Sequence, residues 1–113
     1  MSQNPGIATN SNQTQVVSTK VSLTALQPTT AIVGATSGLV VDSNTNRKGL
    51  AIVNITGNPV SLGFGVNEAV LNSGITLTTV GSVYEMSEYD YTTSAINAIA
   101  SLEGTIISIQ EFV

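Results

Sequence analysis

Residues 46–65 read Asn46-Arg47-Lys48-Gly49-Leu50-Ala51-Ile52-Val53-Asn54-Ile55-Thr56-Gly57-Asn58-Pro59-Val60-Ser61-Leu62-Gly63-Phe64-Gly65. Two short apolar runs flank Thr56-Gly57-Asn58-Pro59, a group of turn formers. Alternation puts Leu50 and Ile52 on one face of the first run. It puts Val60, Leu62 and Phe64 on one face of the second, with Ser61, Gly63 and Gly65 opposite. The stretch therefore reads as a β-hairpin and fixes the class as all-β. The glycine-bearing face leaves room for a covering strand, for the backbone of another subunit, or for a bulge; a covering strand is the plainer reading. Arg47 and Lys48, two of the chain's three basic residues, stand at the entrance, placed to touch a neighbour.

Working outward, the same strand-and-turn pattern continues. Lys20 to Leu26 alternates, with Val21, Leu23 and Ala25 on one side, until Gln27-Pro28 stops it. Ala31-Ile32-Val33 and Leu39-Val40-Val41 are short strands, the second ended by the turn-rich Asp42 to Asn46. After the hairpin, residues 66–74 form a connection with room for one helical turn. Strands are then expected over residues 74–80 and 82–86. Ala95 to Ala100 fits either a helical turn or a strand, and its six residues are too few for an independent helix. The final strand, Thr105 to Val113, puts Thr105, Ile107, Ile109 and Glu111 on one face. Eight to ten short strands at intervals of about ten residues predict an antiparallel β-sandwich or jelly roll. The expected division is an extended polar arm over residues 1–20 and a β-sandwich domain over 21–113.

Composition narrows the function. The chain has 113 residues, one domain's worth, with 42% apolar and 9% charged residues; a typical domain carries about 25% charged residues. Ser, Thr and Asn supply the polarity instead, and such surfaces cost less to desolvate against a neighbour than ions do. Net charge is −4. That argues against nucleic acid, which needs a basic stripe, and against anionic membranes, while permitting a basic protein surface. Cysteine and histidine are absent, so disulfides, thiolate metal sites and histidine-activated nucleophiles have no residues to use. Met1-Ser2-Gln3-Asn4-Pro5 lacks a basic segment leading into an apolar run, which predicts no secretory signal, and no run reaches the length of a membrane helix.

Carboxylates are the remaining enzymatic option. Glu85, Glu88 and Asp90 are close in sequence, and paired acids serve glycosidases or oxygen-coordinated calcium. Against this, there is no tryptophan for sugar stacking and no calcium-loop spacing. A solvated acidic edge is the plainer reading, so no enzyme, cofactor or metal is expected. Gly63-Phe64-Gly65 sits in a strand and is no nucleotide fingerprint. Tyr84, Tyr89 and Tyr91 read either as cross-strand packing or as anchors at an interface. Asn12-Gln13-Thr14 and Asn54-Ile55-Thr56 match the glycosylation pattern, read here as chance.

The arm is a zone of amides and hydroxyls with too little apolar surface to order itself. It is either a disordered tail or a segment that orders on a partner; Gln3, Asn4, Pro5, Ile7, Asn12 and Gln15 are its candidate contacts.

Arg47-Lys48-Gly49-Leu50-Ala51-Ile52-Val53-Asn54-Ile55 followed by Pro59-Val60-Ser61-Leu62-Gly63-Phe64-Gly65 resembles a short domain of tailed-bacteriophage virion proteins, of the wording R-x-x-L-x-I-x-N-x-(turn)-P-V-x-I-G-F-G. Gly74-Ile75-Thr76-Leu77, Tyr84-Glu85-Met86, Ile96-Asn97-Ala98-Ile99 and the closing strand follow in the matching order. The resemblance spans residues 46–112. It implies a small β-sandwich or jelly roll on the outside of capsids or in fibres. Size and arm are most similar to a capsid decoration, or cement, protein. The implied partners are the major capsid protein and further copies of the chain as a dimer or trimer, on the outer capsid surface of a virion assembled in the host cytoplasm. The alternative is a receptor- or glycan-binding module of a head or tail fibre, with the three tyrosines as its platform.

Overall fold

A computed structural model describes residues 22–87 and 89–113 of the chain. Eight strands form two packed sheets: β1 (Thr29–Val33), β2 (Gly38–Val41), β3 (Gly49–Asn54), β4 (Val60–Phe64), β5 (Thr76–Leu77), β6 (Val83–Met86), β7 (Ile96–Ala100) and β8 (Thr105–Phe112). The first sheet has the order β1-β8-β3-β6 and the second β2-β7-β4-β5, with every neighbouring pair antiparallel. Each strand thus pairs with its mirror image in chain order: first with eighth, second with seventh, third with sixth, fourth with fifth. This is the double Greek key of a jelly roll, as the strand pattern predicts.

The core lies between the sheets. Val33, Leu50, Ile52, Met86, Ile107 and Ile109 come from the first sheet, and Val41, Val60, Leu62, Leu77, Ile96, Ala98 and Ala100 from the second. Strand period dictates the selection: β7 and the first five residues of β8 alternate buried and half-buried residue by residue, as strands with one face on a core must. Of the segment 95–100, Ile96–Ala100 is accordingly a strand.

The 46–65 stretch differs from its reading. β3 and β4 are not a hairpin. They belong to opposite sheets, because both edges of each are filled by other strands, β8 and β6 for β3 and β7 and β5 for β4. Residues 55–59 carry the chain across the sandwich. The buried Asn54 side chain shapes that crossing. Its Oδ1 accepts from the Thr56 and Gly57 N–H groups at 3.2 and 3.0 Å, and its Nδ2 donates to the Asn58 and Leu77 carbonyls at 2.7 and 3.0 Å. Gly57 sits at φ +90°, a conformation costly for any side chain. Asn54 is therefore occupied inside the domain, which removes it as a glycan acceptor.

The glycine of β4, Gly63, faces a loop of its own chain. A Cβ on Gly63 would stand 2.7 Å from the backbone of Glu68 and Ala69. Residues 65–75, without a helical turn, fold over the outer face of the second sheet, fastened by Ser61 Oγ to Asn72 N and Thr76 Oγ1 (both 2.8 Å) and by Asn97 Nδ2 to Asn67 O (2.8 Å). A loop, not a strand or a subunit, fills the space.

The expected strand over 74–80 shrinks to two residues, since Gly81 (φ +88°) and the Thr79–Ser82 hydrogen bonds turn the chain at once. Of the expected run 20–26, the described part, 22–26, extends along the end of β8: Ala25 lies opposite Phe112, and Thr24 and Leu26 N–H groups donate to Val113 and Glu111 carbonyls at 2.7 and 2.9 Å. One extra residue at Gln27-Pro28 separates this pairing from that of β1.

Candidate functional site

Three loops meet where the chain enters and leaves the sandwich: 42–48 between β2 and β3, 65–75 between β4 and β5, and 87–95 between β6 and β7. The last carries Tyr89, Asp90 and Tyr91. What positions it is Arg47, which the structure places in the interior, fully buried, not at a surface entrance. Its Nε donates to Glu111 Oε2 at 2.7 Å, its Nη1 to the Thr92 and Ser94 carbonyls at 2.9 and 2.8 Å, and its Nη2 to the Asp42 carbonyl at 2.6 Å. Asn44 completes the knot, Nδ2 to Glu111 Oε2 at 3.2 Å and N to Thr93 O at 2.8 Å. A buried charge needs a counter-charge and filled hydrogen bonds, and the planar guanidinium finds both. Arg47 is thus a positioning residue for the tyrosine loop; a partner could reach its charge only by displacing that loop. Lys48 beside it is exposed, its N–H donating to the Phe112 carbonyl at 2.8 Å.

The tyrosines separate. Tyr84 lies in register with Ile52 on the core side of the first sheet, its ring centroid 5.7 Å from that of Phe64 in the second. Its phenol is raised above the usual range, first by burial and then by the negative charge of Asp90. It is a bridge between the sheets, which corrects its place on an aromatic platform. Tyr89 is 86% exposed and Tyr91 43%, so these two remain surface groups.

Asp90 fastens its own turn: Oδ1 accepts from Ser87 N at 2.8 Å and Ser87 Oγ at 2.9 Å. Those bonds, the backbone one foremost, hold its carboxyl below the usual carboxylate range. Its commitment to the turn weakens the case for paired-acid chemistry. Glu85 projects outward, and Glu88 lies outside the described residues, as do Gln3, Asn4, Pro5, Ile7, Asn12 and Gln15 of the arm. Among the described residues no group of three acidic side chains is placed to hold a metal ion, and no helix is long and apolar enough to cross a membrane.

The sequence reading passed over the outer face of the first sheet. Strand register places Ile32 beside Ile106, with Ile55 donating its N–H to the Ile106 carbonyl, and Val53 beside Val83 in the next row. Ile32 is 75% exposed, Val83 49% and Ile55 45%. No described segment covers this strip, in contrast to the loop-covered second sheet. The signal was present as apolar residues at outward strand positions, but outward could be assigned only with the partner strands known.

No family model and no curated protein matches the chain. Among solved structures, a chain from a work describing Bacillus endospore appendages that form a novel family of disulfide-linked pili is similar over 90% of this chain and 98% of its own, at 12% identity and a TM-score of 0.46. The present chain has no cysteine.

Proposed function

We propose that this chain is a structural virion protein, a capsid decoration protein that binds the outside of the major capsid shell and stabilises it. The observation that carries the reading is the uncovered apolar strip of the first sheet, Ile32, Ile55, Val53, Val83 and Ile106. Contiguous exposed apolar surface on a small domain marks a docking face. The phage-like wording of residues 46–65 and the low charge density of the chain support the same reading. Modest affinity per copy suffices where many copies bind one shell, with copies joined as a dimer or trimer and the acidic balance directed to a basic capsid surface. The arm adds contacts on a neighbouring subunit by strand addition.

The test is copy number in purified particles of the virus that encodes the chain, measured by quantitative mass spectrometry. Hundreds of copies per particle are expected. A handful or a dozen would reject decoration and favour the fibre reading, for which exposed Tyr89 and Tyr91 are the observation. Ile32→Asp on the strip is expected to lower occupancy at least tenfold without unfolding the domain, since the side chain is in solvent in the free protein.

A further inference from the structure

The outer edges of the two sheets are not alike. β5 is two residues long and β2 is bulged between Leu39 and Val41, both of which discourage further pairing. β1 carries no charged side chain. β6, the outermost strand of the first sheet, is regular over its four residues and carries Glu85. Asn54 N donates to the Ser82 carbonyl at 3.0 Å. Alternate residues, Tyr84 and Met86, therefore turn their backbone groups to β3, and Val83 and Glu85 present theirs to the open side. Beside them on the outer face, between β3, β6 and the end of β8, is a recess of about 400 Å³ lined by Leu23, Gly49, Ala51, Phe112, Glu85 and Asp90 among others. Its floor is low because two outward positions of β3 carry Gly49 and Ala51.

We propose that this edge takes up an extended segment of a partner protein as a further strand of the sheet, antiparallel to β6, with a lysine or arginine opposite Glu85 and an apolar residue opposite Val83. Three observations carry it. The outward N–H and C=O groups of Val83 and Glu85 supply the ladder from which strand addition draws affinity, and alternate side chains then give selectivity. Charge selects the basic residue. Glu85 and Asp90 both border the recess, and neither has an ion-pair partner among the described residues, where Arg47 is committed to Glu111. Shape selects the same residue. Ala51 lies in register with Glu85, so the floor is two strand spacings, about 10 Å, from the added strand. A long basic stem passing over Glu85 points toward the Ala51 and Gly49 floor while its head stays with the carboxylates. Val83 belongs to the exposed apolar strip, which the apolar residue of the segment extends. Every strand pairing in the domain is antiparallel, and an antiparallel segment reads basic-x-apolar from its N-terminal end. Any protein presenting that pattern in an extended stretch qualifies, capsid subunit or not.

The probe is a capped peptide, Thr-Lys-Thr-Val-Thr, titrated into the full-length protein at low salt and followed by amide NMR shifts. Shifts at Val83 and Glu85 are expected, and their absence overturns the proposal. Methylating the peptide's lysine amide nitrogen, which faces β6, is expected to weaken binding about tenfold. Methylating the middle threonine nitrogen, which faces away, is expected to leave it unchanged; equal effects overturn the strand addition. Glu85→Lys, at an exposed position, is expected to weaken binding of this peptide about threefold and to favour a peptide with glutamate in place of the lysine; no change in either overturns the part assigned to Glu85. A charged residue on an edge strand can also act as a guard against pairing. Tighter binding of the lysine peptide by Glu85→Thr therefore overturns the proposal and gives Glu85 that role. Peptide affinity that falls as protein concentration rises also overturns it and gives the edge to a second copy of the chain.

Discussion

Arg47 and Asn54 stand seven residues apart, one just before β3 and one at its end, both fully buried, and they hold opposite ends of the sandwich. Asn54 works mostly on its neighbours: three of its four partners lie within four residues of it, the fourth being the Leu77 carbonyl. Arg47 reaches Asp42 nearby, then Thr92, Ser94 and Glu111, up to 64 residues away. The first is a neutral clip that shapes one crossing. The second is a charged rivet through three segments. The difference decides what each end can do. The Asn54 end is self-sufficient, while the Arg47 end holds an exposed tyrosine loop in place by a charge that must itself stay paired.

That contrast can be broken by substitution, and the largest effect is expected at the rivet. Arg47→Met strands the Glu111 carboxylate and three carbonyls and is expected to cost about 3–5 kcal/mol, read from urea unfolding. Glu111→Met added to it is expected to restore part of the loss by removing the stranded charge. Asn54→Ala, which orphans two N–H groups and two carbonyls of a neutral clip, is expected to cost less, about 2–3 kcal/mol in the same assay. A larger loss at Asn54 than at Arg47 would reverse the ranking of the two ends. Gly57→Ala strains one residue of the crossing, where the new Cβ would also meet Val80 Cγ2 at 2.8 Å; about 1–2 kcal/mol is expected, with the Arg47 end unchanged by NMR shifts.

The smallest effect concerns the loop that the rivet carries. The Asp90 carboxyl is held lower in the folded chain than its ordinary value. Its bonds to Ser87 therefore contribute fully above the unfolded pKa, about 3.9, and are lost as pH falls through the lower folded value. NMR titration is expected to place the Asp90 midpoint below the ordinary range, with Ser87 and Tyr89 amide shifts following it. Asp90→Asn should abolish that acid-limb titration while leaving the Arg47 knot in place.

How much of this was legible from residues alone varies by element. The edges of β7 and β8 follow from alternation and from Gly104, and the space over Gly63 was readable from the glycine itself. Tyr84 and Tyr89 were indistinguishable, because five residues of separation say nothing of which faces the core. The Thr56-Gly57-Asn58-Pro59 turn was found, but its topology was not. A crossing between sheets and a hairpin use the same turn residues, and only the claims of other strands on both edges of β3 and β4 separate them. Arg47 beside Lys48 looked like surface charge, since its carboxylate partner lies 64 residues on.

The sequence by itself determined the all-β class, the strand positions and most of the core, because strand period and turn chemistry are local properties. The pairing of strands, the burial of Arg47, the covering of one sheet and the exposure of the other were decided by the tertiary structure alone. Each depends on which distant segments compete for the same edge, face or charge, and that competition exists only once the chain has closed on itself.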